Sequence, residues 1–176
     1  MKSGKTKKIV LMAILFALAL ILSVVEGMLP VIPIPIQGIK LGLSNVVVMF
    51  ALFFIEYKTA LAIAVLKAIF IVMTRGVVAG LLSATGGVLS VLVMMSLQAI
   101  FKDKISYTIL SIFGAISHNI GQFIVFSMLY MGMNLWFYLP VLVISGVIMG
   151  VLTSILLRAS MPALKNIANI NLGNKS

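Results

Sequence analysis

Lys67 stands inside the apolar run LAIAVLKAIFIVM, residues 61–73. A cation there is too deep to carry its head to either membrane surface with ease. It needs partners, and an intramembrane charge is by default a candidate for function. The acidic residues are Glu26, Glu56 and Asp103, and the pattern of apolar runs puts none of them at the depth of Lys67. Two readings follow. Desolvation favours the neutral amine, or the charge is compensated by His118, Asn119, Gln122, backbone carbonyls or a bound anion.

His118, Asn119 and Gln122 belong to SIFGAISHNIGQFIVF, residues 111–126. Gly114, Ser117, His118, Gly121, Gln122 and Val125 recur at steps of three and four, so they share one helix face, with Asn119 at its border. Polar groups at mid-span should face the interior of a bundle. The plain alternative is a hydrogen-bonded clamp between helices. In SATGGVLS, residues 83–90, Ser83, Gly87 and Ser90 fall on one side. The Gly86–Gly87 pair is a place where a helix could open and show its backbone to a cavity; close packing is the alternative. Ser44, Asn45, Lys67, Arg75, Ser83, His118, Asn119 and Gln122 all fall in one half of the membrane or at its midplane, with Lys40 above them. Lys40, Lys67 and Arg75 against Glu26 make the region electropositive. An anionic or strongly hydrogen-bonding small molecule is the expected ligand.

The chain lacks the groups for several other chemistries. It has no Cys, one His and one Asp. That excludes disulfides, Cys-based zinc sites, a His-based metal pair and an aspartate cluster for magnesium. No Gly-rich loop with Lys is present to cradle a nucleotide. No cofactor and no catalytic set are expected, so the chain does not read as an enzyme.

The elements that must position these residues are membrane spans. Of 176 residues, 62% are hydrophobic and 9% are charged, against roughly 25% charged in soluble domains. The mean hydropathy is +1.27. The polarity is too low to cover a water-facing surface, and apolar stretches of membrane length recur throughout. The pattern predicts a single all-α membrane domain, residues 1–176. Its six spans fall at about 9–25, 41–55, 59–74, 77–100, 105–130 and 138–157, the second and third extending into their flanks. MKSGKTKK followed by an apolar run to Val25 resembles a signal peptide, Ala17-Leu18-Ala19 included, but reads better as a retained first span. Pro162 is expected to stop the sixth helix and leave 159–176 as a cytoplasmic tail.

Charge gives the orientation. With the amino terminus inside, the inner segments hold Lys2, Lys5, Lys7, Lys8, Lys58, Lys102, Lys104, Arg158, Lys165 and Lys175, while the outer loops hold Lys40 and Arg75. This is the positive-inside pattern; both termini are then cytoplasmic. The net charge of +10 is of this kind and shows no basic face or aromatic platform for nucleic acid. The segment 27–45, GMLPVIPIPIQGIKLGLSN, becomes the first outer loop. Its Pro30, Pro33 and Pro35 favour stiff extended backbone. Non-helical backbone at membrane depth must be buried in protein or line a cavity, which a lid over the bundle satisfies and a rigid connector does not require. Small residues recur every fourth position at Ala13 and Ala17, at Gly76, Gly80 and Ala84, and at Gly146, Gly150 and Ser154. Such rows let helices approach closely in lipid. The later two suit internal packing, and the first suits a partner subunit.

Taken together, Ala13-xxx-Ala17 on the first of six spans resembles the substrate-binding S component of an energy-coupling factor (ECF) transporter. LPVIPIPIQGIKLGLSN, SATGGVLS and GAISHNIGQF are similar to the Gx transporter family, also labelled heptaprenyl diphosphate synthase component I, over about residues 10–158. The resemblance implies a bacterial plasma-membrane protein that captures a micronutrient from outside. A transmembrane coupling subunit would dock at Ala13 and Ala17, two cytoplasmic ATPases would supply energy, and the first outer loop would gate the site. Lys40, Ser44 and Asn45 would then sit at the hinge of that lid. A prenyl synthase needs aspartate-rich motifs that this chain lacks, so under the other label it is at most an accessory or anchoring subunit.

Overall fold

The computed structural model describes residues 2–28, 43–129 and 135–168. Six α-helices make up the described chain: α1 (Lys2–Met28), α2 (Leu43–Phe54), α3 (Tyr57–Arg75), α4 (Val77–Phe101), α5 (Tyr107–Leu129) and α6 (Leu139–Ala168). Among the described residues there is no strand. Five stretches, Lys8–Met28, Tyr57–Arg75, Val77–Phe101, Tyr107–Leu129 and Trp136–Asn166, are long and apolar enough to cross a membrane. This is a helical membrane protein. Lys40 and the proline segment, expected as hinge and lid, lie outside the described residues.

The bundle is built around α2. Val46 to Leu52 are buried without a break, so this helix shows protein on all sides. It packs on α1, α3 and α6, with fewer contacts to α4. Over its described 12 residues it is about 18 Å long, shorter than the roughly 30 Å hydrocarbon layer. Leu15 and Ala19 of α1, Ala60, Ile63 and Ala64 of α3, Val91 and Met94 of α4, and Leu157 and Leu164 of α6 close the core around Phe50. Lipid tails are as apolar as these side chains, so their burial is favoured by dense packing rather than by escape from water.

Small residues set how closely the outer helices approach. A Cβ on Gly150 would overlap Ile112 Cα, and one on Gly146 would lie 3.0 Å from Ile116 Cα, so α6 lies directly on the α5 backbone. Ser111 Oγ donates to Gly150 O at 2.7 Å across the same contact. On α4, a Cβ on Gly80 would overlap the Val72 side chain of α3. Both rows therefore serve internal packing. Ala13 and Ala17 are exposed on the outer face of α1, whose inner face carries buried Leu15, Ala19, Ser23 and Glu26.

α1 begins at Lys2, so the basic segment before the first span is helical too. Two expectations are corrected. α4 runs unbroken through Gly86–Gly87; Gly86 lies against His118, and a Cβ on Gly87 would meet Ala64 at an ordinary 3.5 Å, so the pair serves packing and not an opening. Pro162 does not end α6, which continues to Ala168. A proline removes one helical hydrogen bond, but the residues after it are anchored. Leu164 is 3% exposed in the core, and the Lys165 ammonium lies 5.4 Å from the centroid of the Phe54 ring, a cation–π distance.

Candidate functional site

Lys67 is 3% exposed and lies about 15 Å along α3 from its start and about 12 Å from Arg75. α2 runs antiparallel to α3 through the short connection at Ile55–Glu56, which brings the first turn of α2 level with Lys67. Lys67 Nζ donates to Asn45 Oδ1 at 2.8 Å and to Ser44 Oγ at 3.2 Å. Ser44 is buried as well. Ser44 and Asn45 thus offer neutral acceptors to an amine at mid-bundle, where a lost hydrogen bond is far more costly than in water.

The α4–α5 seam forms a second polar group. His118 Nε2 and the Gln122 amide lie 3.2 Å apart, one helical turn from each other. A Cβ on Gly86 would come within 2.9 Å of the His118 ring, and one on Gly121 would sit 3.0 Å from Gly86 Cα. The imidazole therefore occupies space that any larger residue at 86 would take. Thr85 Oγ1, which donates to Leu81 O at 2.9 Å, also lies 3.3 Å from Gly121 O. Ser83 is buried on α4. Asn119 turns the other way: its Nδ2 donates to Leu142 O at 2.9 Å and Ser145 Oγ at 3.2 Å on α6. That is the geometry of an interhelical clamp.

Arg75 is placed in a third location. Its Nη2 donates to Ser23 O of α1 at 2.9 Å, and its guanidinium lies over Gly27, where a Cβ would overlap Nη2. The sequence residues are thus gathered in separate groups: Ser44, Asn45 and Lys67 between α2 and α3; His118 and Gln122 on the α4–α5 seam; Asn119 against α6; and Arg75 against α1. Ser23 and Gly27 were not anticipated. Their signal is a second row at fourfold spacing, Ala19-xxx-Ser23-xxx-Gly27, one face round from Ala13 and Ala17.

The opposite end of the bundle carries an ion pair. Lys8 Nζ lies 2.6 Å from Glu56 Oε1, and Thr59 Oγ1 donates to the same carboxylate oxygen at 3.2 Å. The hydrogen bond from Lys8 holds the Glu56 carboxyl below its ordinary pKa of 4.5, aided by Thr59 and by the charge of Lys58. Among the described residues no three His, Cys, Asp or Glu side chains converge in a way that could hold a metal ion.

No curated protein and no solved structure matches the chain. A family model described as heptaprenyl diphosphate synthase component I matches residues 15–160. That stretch includes α2 to α5 whole, the second half of α1 from Leu15 on, and α6 up to Ser160. The chain belongs to the heptaprenyl diphosphate synthase component I family.

Proposed function

We propose that this protein is the membrane-embedded substrate-binding component of an ECF-type uptake transporter, without catalytic activity of its own. It takes up a small anionic or strongly polar micronutrient from outside the cell, with both termini cytoplasmic in a plasma membrane. One observation carries the reading: the buried Lys67 amine, held at mid-bundle by Ser44 and Asn45. A protein that serves only as a scaffold has no need of a cation at that depth, where the cost is several kcal/mol. In a capture protein the amine supplies charge to the ligand, and its neutral partners preserve it between binding events. Ser83, His118 and Gln122 are proposed to contribute polar groups from α4 and α5, and Lys40 from the preceding segment, while Asn119 ties α5 to α6. The coupling subunit docks on Ala13 and Ala17, whose exposure on α1 suits a helix partner, and two cytoplasmic ATPases supply the energy.

The test is purification in detergent from cells grown in rich medium. Small molecules that co-purify are identified by mass spectrometry, with Lys67→Ala in parallel. A stoichiometric compound lost in the variant supports capture and names the cargo. Identical, empty extracts from both proteins would defeat the reading.

The family description favours a second reading, a non-catalytic membrane subunit that accompanies heptaprenyl diphosphate synthesis. It predicts co-purification with a soluble prenyl synthase rather than with ATPases.

A further inference from the structure

An arginine at the end of a membrane span ordinarily extends toward water. Arg75, itself exposed, is instead turned along the bundle. It ends α3, yet its guanidinium reaches across to α1 and donates to Ser23 O, five residues before the last described residue of that helix. Gly27 is what lets it lie there, since a side chain at 27 would occupy the same space. Beside the guanidinium is a cavity of about 250 Å³, with Ser23 and Ile71 on its inner side and Val24, Thr74 and the exposed Arg75 toward its mouth. Ser23 and Ile71 are buried, whereas Val24 is 40% exposed and Thr74 is exposed. The cavity therefore opens between α1 and α3, near the end of both helices.

The chemistry of the lining is divided. A guanidinium has five N–H donors, and among the described residues Arg75 makes the single hydrogen bond to Ser23 O. Its remaining donors suit the bidentate geometry of a phosphate. Val24, Ile71 and Phe70 supply an apolar wall. The volume is below the roughly 300–1,000 Å³ of sites that enclose a whole small ligand. It suits a headgroup whose chains stay outside in the bilayer.

We infer that the α1–α3 crevice is a binding site for an anionic phospholipid, its phosphate held by Arg75 and its chains lying against Val24 and Phe70. The lipid would complete the contact between α1 and the rest of the bundle at the end opposite the Lys8–Glu56 pair. The inference depends on neither the transport reading nor the accessory-subunit reading.

The test places a photocrosslinking amino acid at Met28, which lines the crevice mouth and is 79% exposed. The full chain is reconstituted in nanodiscs that contain equal amounts of phosphatidylglycerol and phosphatidylcholine. Adducts are identified by mass spectrometry. The expected result is a preference of about fivefold for phosphatidylglycerol, the Boltzmann factor for one basic side chain beside an anionic headgroup. Arg75→Gln should bring the ratio to one. Val24→Trp, which leaves Arg75 in place and fills the crevice mouth, should lower both adducts. Equal yields in the unaltered chain, or an undiminished preference in Arg75→Gln, would overturn the proposal. Loss of the adduct on addition of inorganic phosphate would also overturn it, since the site would then take a free anion. So would adducts that form only within the chain itself.

Discussion

The Lys67 amine and the Asn45 side-chain carbonyl lie 2.8 Å apart between α3 and α2, both far along their helices from the Glu56 connection. The two ends of this contact are not equivalent in energy. For a charged amine at this depth, removing the Asn45 acceptor costs about 2–3 kcal/mol. Removing the ammonium also removes its own desolvation penalty, which offsets much of the lost bond.

Asn45→Leu is therefore expected to destabilise the protein by about 2 kcal/mol, and Lys67→Met by less. Thermal unfolding in one detergent under matched conditions measures the order. If Lys67→Met proves the more damaging, the amine is not held there as a charge, and its electrostatic role in capture falls with it.

The ion pair at the other end gives a pH prediction. Glu56 is held below its ordinary pKa of 4.5, chiefly by the hydrogen bond from Lys8. A carboxyl depressed by folding contributes stability that is present above its unfolded pKa. That contribution is lost as pH falls through the folded value. The unfolding midpoint should therefore decline on acidification below about 4.5, and Glu56→Gln should flatten this part of the profile. An identical acid limb in Glu56→Gln would show that the Lys8 contact does not contribute.

Much of this was legible in the sequence, for identifiable reasons. Helices cost too little polarity in lipid to be ambiguous, so six apolar helices and the burial of Lys67 follow from the apolar pattern, although only five of the six are long enough to cross a membrane. The small rows on the fourth and sixth spans predicted close packing, and Gly80, Gly146 and Gly150 show it. Pairings across helices were less accessible. His118 and Asn119 are adjacent in sequence yet face α4 and α6, because 100° of helical rotation separates neighbours. The continuation of α6 past Pro162 depends on Leu164 and Lys165 meeting α2, a tertiary contact that local propensity does not encode. Ser23 and Gly27 looked unremarkable until Arg75 was placed over them.

Glycines separate packing from conformational cost. At Gly87 an added Cβ meets Ala64 Cβ at 3.5 Å, an ordinary contact, and alanine is the better helix former by roughly 0.5–1 kcal/mol. Gly87→Ala should leave stability unchanged or raise it. At Gly150 the Cβ overlaps the Ile112 backbone, which cannot yield without parting α5 from α6. Gly150→Ala should destabilise by about 1–3 kcal/mol. Chemical unfolding of the pair checks the difference in sign, and equal effects would mean that the α5–α6 contact is looser than the structure shows.

The exposed row on α1 distinguishes a docking face from a face that merely meets lipid. Ala13 and Ala17 lie on the exposed side of α1, and Leu15 and Ala19 are fully buried on the other. Ala13→Trp and Ala17→Trp add bulk where no described residue is displaced, so the unfolding midpoint of the isolated protein should not move. If α1 receives a coupling subunit, close helix approach through small residues is the source of affinity, and either tryptophan should abolish co-purification of that subunit. Ligand retention by the isolated protein should persist, because the Lys67 group lies on the far side of α1's buried face. Leu15→Ala is the opposing control: it opens a cavity costing about 2–5 kcal/mol while leaving the outer face intact. Assembly that survives both tryptophans but fails in Leu15→Ala would trace partner binding to overall stability and remove the docking role from Ala13 and Ala17.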